Sequence, residues 1–304
     1  MEMQPFVAVL MGGTSSERPV SLKTGNACAD GLEKAGYRVA RMDVRDDIAE
    51  KLIQIKPNVV FNALHGPVGE DGVMQGLLEL LHIPYTHSGV LASALSMHKV
   101  NAKHVAAAAG IPVATHVLAT AAEISAAHVM PPPYVVKPVA KGSSFGVVIV
   151  SEGEGPPALD PEMAKFGEEL MVEHFVAGRE LTCAVLTGEA LGVTEIITQG
   201  QEFYDFDAKY SDGGSRHVCP ADLPDALTER IETLSVLAHE AMGCRGATRS
   251  DFRYDPDNDE LVWLEINTQP DMIPTSILPE TAQMRGISFS ELVSRLLDEA
   301  SLNR

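Results

Sequence analysis

The chain has 304 residues, more than one hydrophobic core usually serves, so two or three domains are expected. Its apolar content of 45% is that of a globular protein, and no apolar run reaches the length of a membrane span. The formal net charge of −19 argues against non-specific binding to nucleic acid and against binding to anionic membranes.

The amino terminus and the cysteines indicate a cytoplasmic protein. The apolar run FVAVLM at residues 6–11 has no basic segment ahead of it, which is typical of an opening strand and not of a signal peptide. The cysteines are scattered without paired spacing, so we expect reduced thiols and neither a disulfide framework nor a metal cluster.

Residues 1–95 alternate strands and helices. The first strand ends in the glycine turn Gly12-Gly13, and a helix follows from about Ser21. Further strands and helices are expected in turn at Arg38–Met42, Asp46–Ile55, Asn58–Asn62 and Val73–Leu81. This alternation predicts a doubly wound parallel sheet as the first domain.

Two polar loops follow strands of this sheet, and open α/β sheets bind ligands at that edge. Glu17 lies after the glycine turn and is either a helix-start carboxylate, the favoured interpretation, or a ligand for a cation. His65 opens a loop with three glycines and either binds substrate or satisfies the loop backbone, which is favoured for a lone histidine. GGTSSE does not match GxGxxG, so a dinucleotide fold is not predicted.

Residues 96–180 are predicted to form a second domain with a phosphate loop. A helix after Ser88-Gly89 is expected to carry Lys99 near its end, and the strand Tyr134–Pro138 carries an inward Lys137. The loop KGSSFG that follows can fold its N–H groups and hydroxyls over phosphates, although an ordinary flexible hairpin is the simpler alternative. It is not a Walker A loop.

Residues 181–304 are predicted to form the third domain. The short linker between the strands Leu170–Phe175 and Leu181–Leu186 is a plausible adenine site, and residues 199–217 have the length and polarity of a lid. Amphipathic helices are expected over Pro224–Met242 and after Ser288, where a capping box precedes an apolar stripe.

Within the third domain, Arg249 to Asn267 has the pattern of a β-hairpin around a turn centred on Asn258. Antiparallel pairing then places Asp251 opposite Glu265 and Arg249 opposite Asn267, all on one face because side chains alternate along a strand. Phe252, Leu264 and Ile266 should point to the other face.

Two opposed carboxylates repel, which an ordinary sheet avoids. Mg²⁺ is commonly held by one or two carboxylates together with substrate phosphates, and a carboxamide adds a neutral oxygen. An arginine beside them suits a phosphoryl oxygen or a developing oxyanion. The alternative is a solvated face with a mutual Arg–Asp–Glu salt bridge.

Six motifs occur together in the chain: GGTSSE, LHGPVGEDG, SGVLASALSMHK, VVKP with GSSFGV, YDFDAKY, and RSD with LEINTQP. In order and spacing, from about Val7 to Leu297, they closely resemble the D-alanine–D-alanine ligases of the ATP-grasp fold. The resemblance implies an α/β chain with an N-terminal doubly wound parallel sheet, followed by two α+β domains that hold ATP between them. It also implies the ligation of two D-alanines through an acyl phosphate, with ADP and phosphate as products.

By position, the resemblance implies the ATP and metal contacts. Asp251, Glu265 and Asn267 correspond to the ligands of two Mg²⁺ ions, for which Mn²⁺ can substitute, and the use of a monovalent cation stays open. Lys99 and Lys137 correspond to the phosphate lysines. The other ATP contacts implied are Ser143, Ser144, Glu173, Phe175, Val176, Glu180 and, from the lid, Lys209.

The resemblance also implies the substrate contacts. Glu17 corresponds to the residue that holds the ammonium of the first D-alanine, and His65 lies beside it. Ser276 and Ile277 fall where the carboxylate of the second D-alanine is bound. Arg249 would stabilise the tetrahedral oxyanion.

A catalytic relay is implied by the same resemblance. Ser143 and Tyr210 join Glu17 in a hydrogen-bonded triad that couples lid closure to the second substrate. That relay could take the ammonium proton which the second D-alanine must lose before it attacks. Ser276 completes the catalytic set.

Two positions depart from the family pattern. Asp271 replaces the glycine of the usual NT-x-PG, where a carboxylate beside a developing oxyanion is unfavourable and a positive φ would be strained. His174 stands where the adenine linker often carries lysine.

Rival functions remain open beside dipeptide synthesis. A D-Ala–D-lactate or D-Ala–D-Ser ligase would use the same machinery, although Tyr210 favours the dipeptide over the D-lactate ester. A non-catalytic nucleotide-binding regulator should have lost metal ligands or phosphate lysines, and all are present. The resemblance suggests a homodimer.

Overall fold

The computed structural model describes residues 4–142, 146–160, 163, 165, 167–198 and 214–302. The strands in this part of the chain are β1 (Phe6–Gly12), β2 (Arg38–Val44), β3 (Val59–Asn62), β4 (His116–Thr120), β5 (Tyr134–Pro138), β6 (Val148–Val150), β7 (Glu169–His174), β8 (Arg179–Leu186), β9 (Glu189–Thr198), β10 (Ser215–Val218), β11 (Ala247–Asp255) and β12 (Glu260–Asn267). The helices are α1 (Arg18–Lys34), α2 (Ile48–Ile55), α3 (Val73–Leu80), α4 (Val90–Met97), α5 (Lys99–Ala108), α6 (Ala121–Ala126), α7 (Asp225–Ala241), α8 (Ile277–Met284) and α9 (Phe289–Asp298).

These strands form three sheets. The first is parallel, in the order β2-β1-β3, as the strand–helix alternation predicts. The second is antiparallel, in the order β4-β7-β5-β6, and the third is antiparallel, in the order β10-β9-β8-β11-β12. The predicted fold class, a parallel α/β unit followed by two α+β units, is confirmed.

The amino- and carboxy-terminal parts of the chain share one core. Leu292 and Leu296, on the apolar stripe of α9, are fully buried and pack in one cluster with Val7 and Val9 of β1. Gly31 of α1 allows this approach, since a Cβ there would meet the ring of Phe289 at 3.1 Å. None of the helices in the described ranges has the length and apolar character needed to cross a bilayer.

Lys99 lies at the start of a helix and not near the end of one, so that prediction is wrong. The helix after Gly89 ends at Met97, because His98 adopts an extended conformation. The His98 ring then accepts a hydrogen bond from the N–H of Asn101 and caps α5, whose first residue is Lys99. This start places Lys99 and Lys103 four residues apart, on one face of α5.

The predicted hairpin is present, with one β-bulge. Asp251 pairs with Glu265 and Arg249 with Asn267, as predicted, but the register shifts between Asp251 and Phe252, which pairs with Trp263. Leu264 is therefore an extra residue on β12, and such a residue locally breaks the alternation of side chains.

The bulge changes which face Leu264 occupies. Phe252 and Ile266 are buried in the core, as predicted for that face. The prediction for Leu264 is wrong, because its side chain lies on the same side as Glu265 and both line one cavity.

Candidate active site

Two neighbouring cavities lie where the three sheets meet, and they share two residues. Lys99 and Glu265 line both cavities, and the Lys99 ammonium lies 2.7 Å from a Glu265 carboxylate oxygen. The ammonium also donates to the backbone oxygen of Lys141, at 3.0 Å. A cation and a carboxylate therefore stand at the junction of the two spaces.

The first cavity collects the residues assigned to the amino-acid substrates, together with one residue assigned to the metal ions. Its lining includes Glu17, His65, Arg249, Asn267, Ser276 and Ile277. Glu17 and His65 lie in loops after β1 and β3, Arg249 and Asn267 lie on β11 and β12, and Ser276 and Ile277 lie at the start of α8. Gly142, the last described residue before Ser143, lines the same space.

Glu17 does not act as a helix cap. It occupies the N-cap position of α1, but its side chain makes no capping hydrogen bond. Only 5% of the residue is exposed, and it faces the first cavity. Glu17 therefore stands at the start of α1, as the helix-start interpretation expects, but without a capping hydrogen bond. Its position in the cavity also supports a role toward a cationic group of a ligand.

His65 lies among carboxylates. Its Nδ1 is 2.9 Å from Glu70, and its Nε2 is 3.1 Å from the Thr24 hydroxyl and 3.2 Å from Asp271. Burial acts to lower the pKa of His65, but Asp271, Glu70 and Glu17 raise it to about 9. The ring is therefore an imidazolium at neutral pH. Both ring nitrogens contact side chains, whereas a lone histidine was expected to hydrogen-bond to the backbone of its loop.

Ser276 and Ile277 lie at the beginning of a helix. Ser276 is the N-cap of α8 and Ile277 its first residue, and both line the first cavity. Backbone N–H groups at a helix N-terminus favour a negatively charged ligand. A substrate carboxylate suits this end of the cavity.

The second cavity collects the residues assigned to ATP. Its charged and polar lining includes Lys99, Lys137, Glu173, Glu180 and Asp251. Its apolar lining comprises Val135, Ile149, Phe175, Val176, Val262 and Leu264. An apolar lining beside two ammonium groups suits a purine base linked to phosphates.

A buried ion network supports the second cavity. Both Lys137, at 2.6 Å, and Lys103, at 2.5 Å, contact the Glu173 carboxylate, and Lys103 donates to the backbone oxygen of Trp263 at 3.0 Å. Burial acts to raise the pKa of Glu173, but the two lysines hold it below its ordinary value. Burial lowers the pKa of Lys103 to about 8, against the opposing effect of Glu173, so the ammonium stays protonated at pH 7.

The face assigned to metal ions carries oxygen donors and counter-charges. Asp251 accepts hydrogen bonds from Thr182 at 2.6 Å and from Arg249 at 2.9 and 2.8 Å. Glu265 pairs with Lys99, and the Asn267 side-chain oxygen accepts from the Gln269 N–H at 2.8 Å. The salt-bridge alternative is thus present in part, as separate Arg–Asp and Lys–Glu pairs.

The oxygen donors of this face fit Mg²⁺ better than a metal ion that is coordinated by protein side chains alone. Among the described residues, no group of three or more His, Cys, Asp or Glu side chains could hold a metal ion. The assigned set consists of two carboxylates and one carboxamide, and Mg²⁺ commonly completes such a set with phosphate oxygens and water.

Four assigned residues lie outside the described residues: Ser143, Ser144, Lys209 and Tyr210.

Three residues that contribute contacts to the site were not singled out from the sequence. Lys103 lies one helical turn after Lys99, Arg253 lies two residues after Asp251 on β11, and Thr182 pairs with Asp251 across β8. The helical and strand periods could have revealed the first two.

Arg253 bounds the slot beside the adenine linker. Its guanidinium donates to the backbone oxygen of Val176 at 3.0 Å and lies 5.3 Å from the centre of the Phe175 ring. It also approaches Glu180 at 3.5 Å. The arginine therefore holds the linker against β11.

Comparisons with known proteins agree with this arrangement. Residues 41–88 match the family model described as D-ala D-ala ligase N-terminus, and residues 105–298 match the D-ala D-ala ligase C-terminus. The chain is 58% identical, over 98% of both lengths, to the D-alanine–D-alanine ligase of Sinorhizobium fredii, and 57% identical, again over 98% of both, to that of Agrobacterium fabrum.

Solved structures give the same result. The D-alanine–D-alanine ligase of Bacillus anthracis complexed with ATP is similar with a TM-score of 0.79 at 27% identity, over 97% of both chains. The VanG D-Ala:D-Ser ligase of Enterococcus faecalis is similar with a TM-score of 0.79 at 28% identity, over 97% of this chain and 99% of that one. The predicted ATP-grasp fold is confirmed.

Replacing Lys103 tests the buried ion network. Lys103→Met should lower the free energy of unfolding in urea by about 3 kcal/mol, because Glu173 would keep its buried charge with only one of its two lysines. Lys51→Met is a matched control, since Lys51 pairs with Asp47 on the exposed surface of α2 and should leave the unfolding midpoint unchanged. Equal midpoints for both variants would contradict the role given to Lys103.

Proposed function

The chain belongs to the D-alanine–D-alanine ligase family, and we propose that its two cavities together join two D-alanines into D-alanyl-D-alanine for peptidoglycan precursor synthesis. ATP is the energy source, and ADP and phosphate are released. The observation that supports this most directly is the Lys99–Glu265 pair, which stands where the nucleotide space meets the amino-acid space. A phosphoryl group that passes from ATP to a carboxylate has to cross that junction.

ATP would lie in the second cavity with its base between the apolar side chains and its phosphates toward the lysines. Lys99 and Lys137 would neutralise phosphate charge, Glu173 and Glu180 would contact the adenine and ribose, and Lys209 would reach the transferred phosphate. Ser143 and Ser144 would cover the phosphates. Two Mg²⁺ ions on Asp251, Glu265 and Asn267 would neutralise the remaining charge when bound, and Mn²⁺ could replace them.

The first D-alanine would bind with its ammonium near Glu17 and its carboxylate near Lys99. A carboxylate is a poor electrophile, so it first takes a phosphoryl group from ATP and becomes an acyl phosphate. Positioning and electrostatic stabilisation carry most of a phosphoryl transfer, which suits a site built mainly from fixed charges. Closure over the site would exclude water, which otherwise hydrolyses the acyl phosphate.

The second D-alanine would bind with its carboxylate at the N-terminus of α8, at Ser276 and Ile277. Its amine loses a proton, for which the Tyr210, Ser143 and Glu17 triad is the proposed relay, and then attacks the acyl carbon. Arg249, held by Asp251, would face the oxyanion of the tetrahedral intermediate. Collapse of that intermediate forms the amide bond and releases phosphate.

We also propose three domains, with limits at residues 1–95, 96–180 and 181–304, and a cytoplasmic location. The three sheets support the division, although β8 begins two residues before the second limit. The location is supported by the supply of ATP that the reaction needs.

The proposed homodimer would use the outer face of α3 and α4. Leu80 is 80% exposed and Val73, seven residues earlier on α3, is 58% exposed. Leu91 on α4 is 72% exposed. Exposed apolar residues at helical spacing on two neighbouring helices are typical of a face that a second copy covers.

Among the rival reactions, D-Ala–D-Ser ligation has a specific observation behind it, the similarity to the Enterococcus faecalis D-Ala:D-Ser ligase. The relatives with the higher identity are D-alanine–D-alanine ligases, which favours the dipeptide. The retained lysines and carboxylates of the second cavity argue against a non-catalytic regulator.

A substrate panel tests the reaction. Phosphate release from ATP is expected with D-alanine and not with L-alanine, and the product should be the dipeptide when D-serine or D-lactate is offered beside D-alanine. Mass spectrometry of the products identifies the second residue. A product that contains mainly D-serine or D-lactate would replace the proposal with a rival, and no D-alanine-dependent release would reject it.

Removing one carboxylate tests the junction of the two cavities. Glu265→Gln should lower kcat for phosphate release roughly 10²–10³-fold, the size of effect seen when one preorganised electrostatic contact is lost. Glu260→Gln is a matched control on the same strand, outside both cavities. A Glu265→Gln enzyme with normal turnover would remove the metal and junction roles.

A charge on α3 tests the dimer. Leu80→Glu should convert a dimer into a monomer in size-exclusion chromatography with light scattering, because a carboxylate cannot be buried unpaired in an apolar interface. Leu118→Glu is the control, since Leu118 is 40% exposed on β4, away from this face. A wild-type monomer, or a dimeric Leu80→Glu variant, would contradict this interface.

A further inference from the structure

Position 271 carries a carboxylate where the family pattern has glycine, and the structure shows how the chain accommodates it. The φ angle of Asp271 is not positive, so the expected backbone strain is absent. Its Oδ1 lies 3.2 Å from Nε2 of His65, so the carboxylate also faces a cation. The side chain is 26% exposed and lines the first cavity.

The partner of Asp271 is held rigidly. His65 is 3% exposed, and its Nδ1 nitrogen lies 2.9 Å from Glu70. The charged groups around the ring are Glu70 and Asp271 in contact and Glu17 nearby, while burial lowers the pKa of the neighbouring His87 to about 3 and keeps it neutral. An imidazolium in this position is a fixed, buried positive charge.

Asp271 belongs to a segment that connects the two ends of the active site. Residues 268–276 run from the end of β12, beyond Asn267, to the N-cap of α8 at Ser276. Two residues of the segment contact the end of β3 and the loop after it. The Gln269 amide donates to the backbone oxygen of Leu64 and accepts from the Asn62 amide at 3.0 Å, and Asp271 reaches His65.

We propose that Asp271 is a positioning residue for the second D-alanine, because its ion pair with His65 fixes residues 268–276 against the N-terminal sheet. The segment ends at Ser276 and Ile277, so an anchor at Asp271 sets where the N-terminus of α8 meets the cavity. A glycine at this position can donate its backbone N–H but cannot form this pair. The inference rests on the function proposed above, and it concerns only the placement of the second substrate.

The test compares kinetic constants for the two D-alanines. In steady-state assays of phosphate release, Asp271→Asn and His65→Gln should each raise KM for the second D-alanine about tenfold, the size of a lost charge-assisted hydrogen bond. The KM values for ATP and for the first D-alanine should change less than about twofold for Asp271→Asn. The double variant should be no worse than the more affected single variant, because both remove one interaction.

A pH profile separates this role from a general loss of structure. The His65 ring has a raised pKa, so the ion pair is complete at neutral pH and is lost as the pH rises through about 9. Wild-type KM for the second D-alanine should rise over that range more steeply than that of Asp271→Asn. Measuring both enzymes side by side cancels the titration of the substrate's own ammonium.

Glu291→Gln is the matched control, since Glu291 pairs with Arg295 on the exposed face of α9, and all its constants should equal those of the wild type. A second variant, Asp271→Gly, is included because an asparagine side chain can still hydrogen-bond to His65. An unchanged thermal midpoint shows that this variant keeps its fold. If both Asp271 variants had the KM for the second D-alanine and the pH profile of the wild type, the inference would be overturned. The proposed ligase function would still stand. Absence of D-alanine-dependent phosphate release in the wild type would instead reject the proposed function, and this inference with it.

Discussion

The site depends on two carboxylates that face each other across neighbouring strands. Asp251 and Glu265 are register partners on β11 and β12, an arrangement that is unfavourable unless positive charges compensate it. Arg249 and Thr182 bind the first carboxylate, and Lys99 binds the second. Arg249 and Lys99, the positive groups that balance the repulsion, also line the cavities, so one hairpin borders both spaces.

Buried charge also fixes the parts of the chain relative to one another. Glu173 on β7 contacts Lys137 on β5 and Lys103 on α5, and Lys103 continues to the backbone of β12 through Trp263. Three elements of the second predicted domain therefore meet at one carboxylate, and Lys103 links them to β12 in the third. A lysine held in this way would lose little further freedom if it bound a nucleotide phosphate, because its charge is already positioned.

Much of this arrangement could be predicted from the sequence because several of the assigned side chains lie on regular strands, where the period of two fixes which residues share a face. Period two along β11 and β12 placed Asp251 opposite Glu265, and the motif order implied which residues meet ATP and substrate. The errors have local causes. Leu264 faces the cavity because a bulge adds one residue to β12, and Lys99 starts a helix because the His98 ring caps it. The contact of His65 with Asp271 was hidden because Asp271 lies on a different loop, which only the folded chain brings beside His65.

The central claim is that Asp251, Glu265 and Asn267 gather metal-bound phosphate at the junction of the two cavities. The most direct measurement is the anomalous scattering of Mn²⁺ in crystals grown with ADP and D-alanine. The account predicts manganese peaks within coordination distance of Asp251 and Glu265, with the nucleotide phosphates on the side of Lys99 and Lys137. Peaks bound elsewhere, or a nucleotide outside the second cavity, would contradict it.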